Sequence, residues 1–313
     1  MSKIENLAAV GKGEATNRLG DLIAFAVSEQ AALKRLELRK LLITSGVSED
    51  FMPRQRSAAD AFRCATTELE RIGQSLTAEQ NKKDNDEHLN ILVRDVVADK
   101  DQIIRSLVVE KVDKKQGELR YKPGEAVLKF SREDEDFVAH STSSEAAVVQ
   151  VIGEARKRFE YYLTYVTARN LRELVNQVLK SVNAVQIRPG LYFVPEAHEQ
   201  TTQGLKKLIS ALDESKAQII PVVDMEDSRD MIRDGLRERL EQALREMAKG
   251  LKNPDISKGE LNKLLKSAKE NIKSFKEYEI LLSGEMEGLQ TYLSSLKVQT
   301  QQLAEKAAIE GAA

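Results

Sequence analysis

Between Leu261 and Ala307 the apolar residues return at alternating steps of four and three: Leu261, Leu265, Ala268, Ile272, Phe275, Leu282, Met286, Leu289, Leu293, Leu296, Leu303 and Ala307. Only Glu279 and Thr300 interrupt the seam. A 3.5-residue period makes helices wind around one another with a left-handed supercoil. Ser257 and Glu260 have the spacing of a capping box that starts this helix. About 50 residues at 1.5 Å rise predict a rod of roughly 75 Å. A shorter helix precedes it, Asp227 to Leu251, with Ile232, Leu236, Leu240, Ala243, Leu244, Met247 and Leu251 on its apolar side. Lys252-Asn253-Pro254-Asp255 separates the two. The first helix is half the length of the second, so the distal rod lacks an intrachain partner. Leu289, Leu293, Leu296 and Leu303 would then form an exposed apolar stripe, which predicts a homo-oligomer joined through the C-terminal rod, with Leu282, Met286, Leu289, Leu293, Leu296 and Leu303 as its coiled-coil interface.

Composition agrees with long, solvent-washed helices. Charged residues make up 31% of the chain, aromatics 5%, and tryptophan is absent. The formal net charge of −2 excludes a chain-wide basic footprint for nucleic acid. The single cysteine, Cys64, excludes an intrachain disulfide and a cysteine zinc cluster and suits a reducing compartment. Met1 to Val10 carries no apolar core of signal-peptide length, and no apolar run reaches membrane-spanning length. The expectation is a cytoplasmic protein with no membrane association.

Three regions follow from the patterning. Residues 1–78 are expected to be helical. One helix covers Glu14 to Leu42, with Leu19, Leu22, Ile23, Ala26, Val27, Leu33, Leu36 and Leu41 on its apolar side, and Gly46 beyond its end. A second begins at Ser57 and carries Ala61, Phe62, Ala65, Leu69 and Ile72 on one face; the polar stretch Gln80 to Glu87 follows as a loop. Residues 88–225 form an α+β body. Within it, 89–140 reads as an antiparallel meander of short β-branched runs, with Ile103, Leu107 and Val109 on one face. Residues 144–182 read as one long helix whose apolar stripe slips phase after Val166, as at a bend or a change of partner. Residues 184–223 read as a small ββαβ unit, in which Pro189-Gly190 has the chemistry of a type II turn. Residues 226–313 form the C-terminal coiled-coil hairpin. The fold class is α+β, mainly helical.

Few residues carry chemistry. Asp224, Glu226, Asp227 and Asp230 follow a strand end, and Glu196 and His198 follow another. Such carboxylates can hold a hard cation, but Asp224 or Asp227 as the cap of the next helix accounts for them more simply. His88, His140 and His198 are scattered without ligand spacing. Gly11-Lys12-Gly13 lacks the remaining glycine and hydroxyl of a phosphate loop. Arg54, Arg56 and Arg63, with Arg35, Arg39 and Lys40, could contact nucleic acid as a local basic face, although solvation alone also explains them. Tyr161, Tyr162 and Tyr165 cluster near Arg156, Lys157, Arg158 and Arg169. That combination could stack on single strands, while packing of Tyr162 in the helix stripe is the simpler account.

The stretch Arg-Pro-Gly-Leu-Tyr-Phe-Val-Pro at Arg188 to Pro195, the early Met52-Pro53 with Ala-Asp-Ala-Phe-Arg at Ala59 to Arg63, and the tyrosine-bearing helix resemble an uncharacterised family of bacterial, archaeal and phage-borne proteins. The resemblance covers the chain up to about Asp224 and implies a mobile-element context but no activity. The leading reading is a non-enzymatic, oligomeric interaction or scaffold protein, a phage- or plasmid-associated accessory factor that binds a host protein. A nucleic-acid-binding protein using the arginine faces is the competing reading, and a metal-dependent enzyme around Asp224 the third. No cofactor is expected.

Overall fold

The computed structural model describes residues 17–75, 87–113, 118–141, 146–282, 286 and 288–312. The Gly11–Gly13 segment and most of the Gln80–Glu87 loop lie outside the described residues. In chain order the elements are β1 (Arg18–Ala26), β2 (Ala32–Lys34), α1 (Arg35–Ser45), α2 (Ala58–Thr67), β3 (Arg71–Ser75), β4 (Glu87–Ala98), β5 (Gln102–Asp113), β6 (Glu118–Ser131) and β7 (Asp136–Ser141). They continue with α3 (Ala146–Thr164), β8 (Tyr165–Thr167), α4 (Ala168–Ser181), β9 (Val185–Arg188), β10 (Leu191–Pro195), α5 (Glu199–Ser210), β11 (Lys216–Val223), α6 (Glu226–Lys252), α7 (Lys258–Leu281) and α8 (Leu289–Ala312). The class is α+β, and no helix among the described residues is long and apolar enough to cross a membrane. The chain gathers into two units. One holds the described residues of 17–32, 39–52 and 168–312, and the other holds 33–38 and 53–167. The three consecutive regions expected from patterning therefore run across the units.

The first unit is built on a sheet of order β11-β1-β10-β9 with antiparallel neighbours. The expected ββαβ unit is present, with β1 inserted as its middle strand between β10 and β11. This corrects the helix expected over Glu14 to Leu42, of which α1 is the only helical part among the described residues. A central strand covered on both faces is apolar on both, so it shows no alternation. Leu19, Leu22, Ile23 and Ala26 match a helical spacing by coincidence. Leu19 and Leu22 pack with Phe193, Val222, Ile232 and Leu236, while Ile23 is buried and α5 packs on β1 and β11. The turn at Pro189-Gly190 forms as its chemistry requires. Gly190 has φ of 76°, and its carbonyl accepts a hydrogen bond from the Phe25 N–H.

Helices α6, α7 and α8 contain 27, 24 and 24 residues, and each packs on the other two. The capping box at Ser257 and Glu260 forms with both hydrogen bonds. The rod is not continuous: Leu282 caps the end of α7, Gly288 takes φ of 86°, and α8 starts at Leu289. The seam folds back on itself. Leu282, Met286, Leu296 and Leu303 are fully buried, Leu289 nearly so, and Leu293 is partly buried, all in one core with Leu236, Leu240 and Met247. The sticky stripe expected beyond Met286 is thus covered by the chain's own helices. A 3.5-residue period specifies left-handed helix packing and does not say whether the partner lies in the same chain. Gly284 and Gly288 are the sequence signal of the break.

The second unit is a five-stranded antiparallel meander in chain order, β3 to β7, with α2 and α3 on one face. Ile103, Leu107 and Val109 are fully buried on that face, as expected. Phe62 contacts Phe130 and Phe137, and Phe137 meets Phe159 edge-on at 5.3 Å. Two differences from expectation have local causes. The runs at Glu118–Tyr121 and Ala126–Phe130 form a single strand, because Pro123-Gly124 is accommodated by a register shift rather than a turn, with Gly124 at φ of 74°. The second helix stops at Thr67, so Ile72 lies in β3 and is 78% exposed. Arg105 reaches from β5 to the end of α2, where its Nη1 donates to the Arg63 carbonyl at 3.0 Å and to the Thr66 hydroxyl at 2.7 Å. A cation there complements the helix dipole and its open carbonyls. The long helix expected over 144–182 breaks at β8, where its stripe slips phase, and the border between the units falls at the same point.

Candidate functional site

Packing of α3 on α2 brings together two groups of residues that are distant in the sequence, the arginines ahead of α2 and the tyrosines of α3. Ser57 caps α2 by accepting the Asp60 N–H. This fixes the chain direction so that Arg56, one residue earlier, lies over the Tyr162 ring at 4.6 Å. The Tyr162 hydroxyl donates to Glu68, and the same carboxylate takes Arg158 at 2.6 Å. Glu154 lies within 2.7 Å of Arg71 and 3.5 Å of Arg158. Tyr161 stacks on Tyr165 at 5.2 Å between ring centroids and meets Tyr162 edge-on at 5.5 Å. Tyr161 is 38% exposed and its neighbour Leu163 41%. Burial, followed by the Glu68 carboxylate, raises the Tyr162 phenol above its ordinary value, and burial does the same to Tyr161. Both therefore remain neutral at physiological pH. The surface presents fixed ring faces, two neutral hydroxyls, the Arg56 guanidinium over Tyr162, and the Arg71 and Arg158 guanidinium groups paired with carboxylates.

The three arginines expected to form a basic face, Arg54, Arg56 and Arg63, are placed differently from one another. Arg56 is spent on Tyr162, Arg63 lies 3.6 Å from Asp60, and Arg54 is exposed. Of the neighbours invoked with them, Arg35 donates to the Pro53 carbonyl at 2.6 Å and Arg39 pairs with Glu49. Arg156 turns away from the tyrosines, pairing with Asp136 and stacking on Phe137 at 4.2 Å.

The acidic cluster is held by arginines. Asp224 receives Arg229 Nε at 2.6 Å and Nη2 at 3.0 Å, and the Asn17 amide at 3.2 Å; Glu226 and Asp230 share Arg233. The N-cap of α6 is Met225, with no side-chain capping bond. Asp224 therefore does not cap the helix; it acts one turn further in, through Arg229. No group of three or more His, Cys, Asp or Glu side chains is placed to hold a metal ion among the described residues. His198 meets Glu277 at 3.0 Å and is joined through it to Asn183, whose carbonyl accepts the Tyr278 hydroxyl at 2.8 Å. This network ties the segment after the Arg188–Pro195 motif to α7. His140 is exposed on β7, and the His88 side chain lies outside the described residues.

The hydrogen bonds from Arg229 hold Asp224 below the usual carboxylate range. A depressed folded-state pKa gives stability that is present above the unfolded value and lost as pH falls through the folded one. Asp224→Asn is expected to cost about 1.5–3 kcal/mol at neutral pH, the range for a hydrogen bond to a charged group. Melting curves of variant and wild type should converge as pH falls below about 4. A constant difference from pH 7 to pH 3 would show that the charge of Asp224 contributes nothing.

One polar residue escapes a reading of the sequence. Asp21 is 1% exposed in β1, pairs with Arg18, and leaves Oδ2 without a hydrogen-bond partner. Burial raises its pKa. Arg18 also reaches Glu199, at the start of α5, at 3.3 Å. The available signal is an aspartate inside the apolar run Leu19–Ala26.

A family model described as a family of unknown function, DUF6744, matches residues 18–309, and the chain belongs to that family. No curated protein and no solved structure matches the chain.

Proposed function

We propose that this family member is a non-enzymatic interaction protein that docks a protein partner on the tyrosine–arginine surface of α2 and α3. The observation that carries the reading is Tyr161, held by Tyr165 and Tyr162 yet 38% exposed beside an exposed Leu163. Tyrosine and arginine are the residues enriched where binding energy concentrates. Rings fixed before binding lose little freedom on binding. Asp60, Glu68 and Glu154 neutralise the nearby guanidinium groups, which suits a protein surface better than a phosphate backbone. A host factor bound in the cytoplasm by a phage- or plasmid-associated accessory protein fits this surface. Self-association through the α6–α8 seam has lost its rationale, because the leucines that would make it already pack inside one chain.

The test is co-purification from the native host with wild type and with the double variant Tyr161→Ala, Leu163→Ser. Both positions are partly exposed, so the variant's melting midpoint should stay within a few degrees of wild type. A partner retained by the wild type should fall about tenfold or more, as truncating an anchor residue does. Equal recovery with both proteins would place the docking surface elsewhere.

A further inference from the structure

We infer that the outer face of α7 is a binding surface for the phosphate backbone of double-stranded nucleic acid, independent of base sequence. At 3.6 residues per turn, Lys258, Lys266, Lys269, Lys273 and Lys276 fall within an arc of about 80° on α7. They extend over about 27 Å at 1.5 Å rise per residue. All five are exposed, and Phe275, Ala268 and Leu261, on the opposite side of the helix, are in the core. Among the described residues only Lys266 of the five makes an ion pair, with Glu270 at a loose 4.0 Å.

Lysines three and four residues apart repel, and a cation in the first turn opposes the helix dipole. Lys266, Lys269, Lys273 and Lys276 stand at those spacings, and Lys258 occupies the first turn. Glu260 in the first turn and Glu270 beside Lys266 offset part of this cost. The exposed row keeps a surplus of positive charge that an external polyanion would neutralise. The row is linear, like a nucleic-acid strand and unlike a membrane plane. Its only large exposed apolar residue among the described ones is Ile280 at one end, too little to insert in a bilayer. Lysine is a point charge without the planar fork that reads bases, so the expected contact is to phosphates alone. This surface is separate from the tyrosine surface and does not depend on the reading given for it.

The experiment measures binding of the full chain to a random-sequence duplex of about 20 base pairs by fluorescence anisotropy across a salt series. The wild type should bind at low salt and weaken linearly on a log–log plot. The variant Lys266→Gln, Lys269→Gln, Lys273→Gln should lose about 0.9 of slope per lysine, close to 3 in all, and bind about tenfold or more weaker at low salt. The matching Lys→Arg variant should keep both slope and affinity, which separates charge from folding. Failure of the wild type to bind at low salt, a Gln variant with unchanged slope, or binding to anionic lipid vesicles in place of the duplex would each overturn the inference.

Discussion

Replacing Leu296 by alanine is expected to destabilise the first unit by about 2–5 kcal/mol, the range for deleting a leucine from a packed core. Leu296 is fully buried on α8 in a core that includes residues of α6 and α7. Its contacts lie within one chain, so the loss should be the same at every protein concentration. A seam shared between chains would behave differently, because its stability would rise with concentration by mass action. Denaturant unfolding of wild type and variant at two widely separated concentrations measures both quantities. A cost well below 1 kcal/mol, or a cost that changes with concentration, would return the seam to an intermolecular role.

Gly20→Val should be more damaging, at about 3 kcal/mol or more, by the mechanism of overpacking against backbone. A Cβ at Gly20 would lie 2.1 Å from the Val194 carbonyl oxygen and 3.0 Å from the Glu196 nitrogen. Neither atom can move without shifting β10, which pairs with β1 through Gly20 and Pro195. The inner strand β10 and the segment carrying Glu196 and His198 would be displaced together. Gly153 provides the opposite sign. It lies within α3, and a Cβ added there would meet nothing inside 4 Å, so Gly153→Ala should raise stability by about 0.5–1 kcal/mol. Thermal melts of the two variants should move in opposite directions; a shared direction would contradict the packing described for β1 and β10.

Where one period acts on one face, the sequence is readable. Ile103, Leu107 and Val109 alternate because the meander is covered on one side, and the turn at Gly190 needs the positive φ that glycine allows. The capping box at Ser257 is local chemistry and forms as its spacing requires. The sequence misleads where distant residues decide the outcome. A strand buried on both faces has no period of its own, so Leu19 to Ala26 imitates a helix. The heptads specify how helices pack but not which helices, and the two glycines before Leu289 are the only mark of the reversal. The slip after Val166 is legible as a change of partner, although not as a short strand. Within the candidate site, the arginines and tyrosines are each visible, but their junction requires the packing of α2 on α3. The pairing of Glu68 with Tyr162 and Arg158 cannot be seen from spacing, and it matches one of the site's cations with a carboxylate.

Backbone amide exchange, measured with and without the protein partner that co-purifies with the wild type, tests most directly whether the tyrosine surface is the docking site. The account predicts slower exchange at 160–167 and at the start of α2 when the partner is bound. Unchanged exchange there, with protection on the opposite face of the β3–β7 sheet or on α6 to α8 instead, would contradict it.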